Sequence, residues 1–239
     1  MEAEFDVLIG AFGDCPEYTL RCVQSIIGEP DRPRSFGVHV GCNACGETTI
    51  TALRSMYDRG LIDALIESRH NLNKDRMMRL LIERVDTRFF LWLDDDSHVK
   101  PGWDLEIEKL LKDGPTFDCA GHVFFHHRPP EYKRFLVKRP WWIGEEAYPS
   151  RDHRKRVWFP TGGLFLGRAA FFRRHNFPDR AMVKRQDDLL LGDMISQTKG
   201  TLIDFPSELM GLITISDGNR RGSGESSDGW LDVHPVTGE

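Results

Sequence analysis

The sequence predicts an α/β fold with a mixed, mostly parallel central sheet flanked by helices. Three observations carry this. Short apolar runs of strand length alternate with amphipathic helical segments through the first half of the chain. Strands separated by helices are what right-handed crossovers between parallel strands require. The most apolar run, within Arg88–Leu93, leads straight into three acids, Asp94-Asp95-Asp96. That is the strand end at which open α/β sheets place their ligands.

The elements follow in order. Asp6–Phe12 is a buried strand closing in small residues, then Gly13-Asp14-Cys15-Pro16 makes a turn. Glu17–Ile27 carries Leu20, Val23, Ile26 and Ile27 at helical spacing. Gly28–Arg34 is a Pro- and charge-rich loop, Phe36–Val40 a second strand, and Thr48–Arg59 a helix stopped by Gly60. Leu61–Ser68 reads as a third strand with a lead-in. Asn73–Val85 is amphipathic, with Met77, Leu80, Leu81 and Val85 on one face. After Pro101 come the helix Asp104–Lys112 and the strand Phe117–Phe125. His126–Trp158 lacks a period and reads as a long irregular segment, a type that is often functional. Pro160–Leu166 contains a Gly-Gly turn. Short helices are expected at Arg168–Arg174 and Asp187–Thr198, and a strand at Thr201–Phe205. The Gly- and Ser-rich stretch from Ser216 reads as a mobile tail.

Composition bounds the function. The chain has 239 residues, 40% of them hydrophobic and 29% charged, enough for one large domain with a sizeable core. A net charge of -5 gives no overall basic signature for nucleic acid, although Arg128, Lys133, Arg134, Lys138 and Arg139 form a locally basic stretch. The acidic N-terminus and the absence of a long apolar run predict no signal peptide and no transmembrane segment, hence a cytoplasmic protein. Five cysteines without framework spacing read as reduced thiols, and Cys42-x-x-Cys45 lacks the second half of a zinc site.

Three successive carboxylates repel one another unless they are solvated, paired or neutralised by a cation. Hard ions such as Mn²⁺ and Mg²⁺ favour such oxygens and keep positions open for phosphates. A second acidic pair, Asp187-Asp188, precedes the apolar run Leu189-Leu190-Leu191. An acid there caps a helix, or serves as a general base, or the two divide these roles. Trp141, Trp142 and Trp158 suit sugar faces or the core. Arg220-Arg221 lies among glycines, as an anion-binding loop would.

Leu91-Trp92-Leu93-Asp94-Asp95-Asp96-Ser97 resembles the D-x-D segment of the GT-A glycosyltransferases, family 2 in particular. Asn71-Leu72-Asn73-Lys74 is similar to the family's Asn-x-Gly segment, with Asn73 where the family usually has Gly. Thr161-Gly162-Gly163 and Asp187-Asp188 resemble its acceptor-side glycine turn and acidic pair. The resemblance spans residues 5 to 205 and implies one GT-A domain over 1–239. Residues 1–100 would form the nucleotide-sugar-binding half, 101–215 the acceptor half, and 216–239 a flexible C-terminal loop.

The resemblance implies a metal-dependent, inverting glycosyltransferase using Mn²⁺ or Mg²⁺ and a nucleotide-diphosphate sugar, a UDP-sugar favoured. Asp96 is the first metal ligand, Asp94 the second, and His234 a possible extra one. Donor contacts fall to Ala11, Phe12, Asp14, Asn43, Asn71, Lys74, Asp94, Asp95, Arg220 and Arg221. Phe12 packs on the base or in the core, with equal support for each. Asn43 stands where the family often has an Asp. Asp188 is the candidate base and Asp187 its companion. Trp142, Gly162 and Gly163 are assigned to an acceptor that is a saccharide, lipid, protein or nucleic acid. The rivals are a nucleotidyltransferase, which would want a basic Gly-rich loop after the first strand, and a non-catalytic binding protein.

Overall fold

The computed structural model describes residues 4–28, 34–127, 156–175, 187–215 and 234–235. In chain order these form β1 (Phe5–Phe12), α1 (Pro16–Ile27), β2 (Val38–Asn43), α2 (Glu47–Asp58), β3 (Ala64–Ser68) and α3 (Lys74–Ile82). There follow β4 (Phe89–Asp94), β5 (His98–Val99), α4 (Trp103–Asp113), β6 (Cys119–His127) and β7 (Arg156–Arg168). The last elements are α5 (Ala169–His175), α6 (Asp187–Gln197), β8 (Leu202–Asp204), α7 (Ser207–Met210), β9 (Ile213–Thr214) and β10 (His234–Pro235).

The main sheet has the order β10-β6-β7-β4-β1-β2-β3, with β8 beside β6. β1 is parallel to β2 and β4, and β2 is parallel to β3. β7 runs antiparallel between β4 and β6. The mixed, mostly parallel sheet expected from the sequence is therefore the one found. β1 and β4 are almost wholly apolar because both of their faces are covered. One core packs Val7, Leu91, Val23, Leu53 and Trp103 together, and a second packs Leu8, Phe90, Met77, Phe172 and Leu191. The chain leaves β1 toward β2 on one side and returns as β4 on the other. Such a reversal opens a crevice beyond the strand ends.

Four boundaries differ from the sequence reading in ways that matter. β2 runs to Asn43, not Val40, which sets Asn43 level with Phe12 at the ends of adjacent strands. Gly162-Gly163 is not a turn between elements but lies inside β7. There the ladder slips: Val123 pairs with Pro160 and Gly121 with Phe165, so His122 alone faces four residues, Thr161 to Leu164. The result is a bulge that re-aims the strand. Within the stretch expected as a mobile tail, His234 and Pro235 pair with Phe125 and Phe124 as an edge strand. The turn after the acids leads into β5, which pairs with β9, a short sheet too small to carry a sequence signal. No helix among the described residues is long and apolar enough to cross a membrane.

Candidate functional site

A cleft opens at the carboxyl ends of β1, β2 and β4, walled by the start of α3. Its floor exists because Gly10 and Gly41 lack side chains. A Cβ on Gly10 would lie 2.6 Å from the Trp92 ring, and one on Gly41 would lie 2.5 Å from the Met77 sulfur. The two large side chains therefore fill the base of the cleft. The sequence places Met77 on an apolar helix face and Trp92 in an apolar strand, and only their opposition to glycines could have marked them for the cleft.

The three acids separate by role. Asp94, level with Gly10 in the parallel ladder, remains partly exposed in the cleft. Trp92 donates its indole N–H to Asp94 Oδ1 at 3.0 Å, and Lys74 Nζ donates to Asp94 Oδ2 at 2.7 Å. The Asp94 carbonyl accepts from the Ser97 N–H at 3.0 Å, closing a tight turn. Asp95 is fully buried beneath that turn. It accepts from the Phe12 N–H at 3.1 Å and from the Thr19 hydroxyl at 2.6 Å, clamping the end of β1 and the face of α1 to the acidic turn. Asp95 thus acts on the cleft through the backbone of β1. Asp96 is again partly exposed. Burial first, and then the three aspartates, push the Cys22 thiol beneath them well above its usual range.

Phe12 stands 46% exposed at the cleft, which decides between its two sequence readings against the core. Ala11 borders the same wall, with its side chain buried in the first core. Asn43 and Asn71 also line the cleft, but their amides are engaged with the protein. Asn43 Oδ1 accepts from the Leu72 N–H at 2.7 Å, and its Nδ2 donates to Asn71 Oδ1 at 3.2 Å. Asn71 Oδ1 also accepts from the Asn73 N–H at 2.8 Å. This clasp holds the loop before α3, where Asn73 adopts φ 69°, ψ 156°. Asp14 is turned to the start of α2 instead, with its carboxylate filling the space a Cβ on Gly46 would need. A carboxylate is favourable beside a helix N-terminus.

The residues expected on the acceptor side meet those expected on the donor side here. The Asp188 carboxylate, on α6, occupies the place a Cβ on Gly162 would take. A Cβ on Gly163 would sit 3.2 Å from Asp94 Oδ2. Lys74 Nζ donates to the Gly162 carbonyl at 2.8 Å. Residues far apart in sequence, Lys74, Asp94, Gly162 and Asp188, therefore form one contiguous group. Asp187 starts α6, and its side chain lies outside the described residues. So does that of His234, whose backbone is on the sheet edge, and Trp142, Arg220 and Arg221 lie outside altogether. Trp158 is exposed on β7 with its ring 5.3 Å from that of Phe125. His122 approaches Asp204 at 3.8 Å. Cys42 and Cys45 are reduced thiols. The hydrogen bond that the Cys42 thiol makes to Cys45, and then burial, push that thiol far above its usual range.

No family model and no curated protein matches the sequence. Solved structures do match. The mannosyltransferase PcManGT from Pyrobaculum calidifontis, in complex with GDP-Man and Mn²⁺, superimposes with a TM-score of 0.60 at 16% identity, over 87% of this chain and 56% of that one. The chain has the GT-A fold. S. aureus TarS 1-349 in complex with UDP-GlcNAc gives a TM-score of 0.55 at 13% identity, over 85% and 56%. GalNAc-T7 with UDP, GalNAc and Mn²⁺ gives 0.58 at 13%, over 86% and 43%. These neighbours are nucleotide-sugar glycosyltransferases, and this chain spans little more than half the length of the first two.

Among the described residues, no three His, Cys, Asp or Glu side chains cluster to hold a metal. A hard divalent ion needs only one or two protein carboxylates when substrate phosphates complete its shell. Asp94 and Asp96, partly exposed on either side of the buried Asp95, fit that donor set.

Proposed function

We propose that this chain is a metal-dependent, inverting glycosyltransferase that moves a sugar from a nucleotide diphosphate, a UDP-sugar favoured, to an acceptor hydroxyl. The observation that supports it most is the convergence of Asp94, Gly162, Gly163 and Asp188 at the carboxyl end of β4 on a GT-A sheet. In this reading Phe12 packs its exposed face on the nucleobase, and the clasp of Asn43 and Asn71 shapes the wall beside it. Asp96 and Asp94, with His234 as a further ligand, would hold Mn²⁺ or Mg²⁺, which would supply charge neutralisation at the diphosphate. Arg220 and Arg221 are assigned to the same diphosphate.

Asp188 serves as general base. The acceptor oxygen forms its bond to the anomeric carbon, the bond from that carbon to the diphosphate oxygen breaks, and the electron pair leaves with the phosphate. The hydroxyl proton goes to the Asp188 carboxylate. Gly162 and Gly163 present backbone where side chains would fill the acceptor side, with Asp187 and Trp142 assigned to acceptor contacts. The test is thermal unfolding with a panel of UDP- and GDP-sugars plus Mn²⁺. A true donor at about 100 times its Kd raises the melting temperature by about 5 °C. A panel that gives no shift with any nucleotide sinks the reading.

A further inference from the structure

We infer that Lys74 is a positioning residue that locks the acceptor-side strand to the donor-side carboxylate and thereby sets the location of Asp188. The inference rests on the glycosyltransferase reading above for its catalytic consequence, but its geometry stands apart from it. Lys74 opens α3, the end of a helix where the macrodipole disfavours a cation. Its side chain is only 25% exposed, so much of its hydration has been removed as well. Both costs are offset locally. Nζ lies 2.7 Å from the Asp94 carboxylate, 2.8 Å from the Gly162 carbonyl and 5.9 Å from the centre of the Trp92 ring.

The Gly162 carbonyl is where such a bond matters. The β4–β7 ladder ends at Leu93 with Leu164, and the β6–β7 ladder lapses between Pro160 and Phe165. Thr161 to Gly163 thus takes part in neither ladder. The ammonium of Lys74 grips this stretch at the residue whose missing Cβ makes room for Asp188. One lysine therefore ties α3, β4 and β7 together, and the position of Asp188 relative to the donor follows from it. Lys74 was read from sequence as a donor contact. In the structure its ammonium bonds protein groups on β4 and β7.

The test compares wild type, Lys74→Met and Lys74→Arg, using UDP-N-acetylglucosamine and GDP-mannose with Mn²⁺ as probes. Calorimetry gives the donor Kd, and single-turnover release of nucleoside diphosphate at saturating donor gives the rate. Hydrogen exchange on the donor-free proteins follows the peptide covering residues 160–166. Lys74→Met is expected to keep Kd within about threefold while the saturating rate falls about 100-fold, the scale of a small misplacement of a reacting group. The peptide exchanges roughly tenfold faster, with β1 and β2 unchanged. Lys74→Arg, whose guanidinium also bridges a carboxylate and a carbonyl, recovers most of the rate. Unchanged exchange at 160–166 overturns the inference whatever the donor does. A Kd that weakens by the same factor as the rate makes Lys74 a donor contact and also overturns it, leaving the transferase reading intact. A wild type that binds neither probe nor any other nucleotide sugar overturns the transferase reading and the catalytic half of the inference together.

Discussion

At the scale of single residues, Asn73 shows how a family position and a backbone angle inform each other. The sequence departs there from an expected Gly, and the structure holds Asn73 at φ 69° with an extended ψ. That region is nearly exclusive to glycine and costs a side chain about 1–3 kcal/mol. The Asn71 amide and the start of α3 hold the conformation in place. Asn73→Gly relieves the strain while keeping the backbone N–H that Asn71 accepts. Its expected effect is a gain of about 1 kcal/mol in urea unfolding. A loss of stability would mean that the Asn73 side chain makes a contact worth more than the strain. Asp95 teaches the opposite lesson. Its neighbours Asp94 and Asp96 are identical to it in sequence, and only the fold reveals that the middle acid is buried on Phe12 and Thr19. No pattern of residue types carries that information.

At the scale of elements, strands and helices were legible wherever the apolar period was long, as in β1, α1, α3 and β4. Burial on both faces writes itself into sequence as a continuous apolar run. The bulge in β7 was not legible, because Gly-Gly signals a turn as readily as a strand irregularity. Yet the bulge brings β7 against α6 at the site. The contact between Gly162 and Asp188 leaves no room for a methyl group, and the atom in the way is the end of a side chain. Gly162→Ala is therefore expected to displace the Asp188 carboxylate rather than break the strand. Turnover of the donor should fall about 100-fold, with unfolding free energy changed by no more than about 1 kcal/mol. Paired rate and denaturation measurements check this. A variant with full activity would remove Asp188 from the proposed role.

At the scale of the whole molecule, the order of motifs along the chain was enough to anticipate a GT-A sheet. It also singled out Asp94, Gly162, Gly163 and Asp188, which the fold brings next to one another. Two things lay beyond sequence. The pairing of Lys74 with Asp94 and Gly162 needs α3, which packs on β1 and β2, to begin beside β4 and β7, a long-range arrangement that no local period encodes. The commitment of Asn43 to the loop before α3 depends on β2 extending past its apolar stretch. The most direct measurement of the central claim follows nucleoside diphosphate release from the nucleotide sugar that stabilises the protein, with Mn²⁺, in wild type and Asp188→Asn. The account predicts release by wild type, unchanged donor affinity in the variant, and a rate lower by about 10²–10⁴-fold, the contribution of a positioned general base. Equal rates in the two proteins, or no release by wild type with any donor, would contradict it.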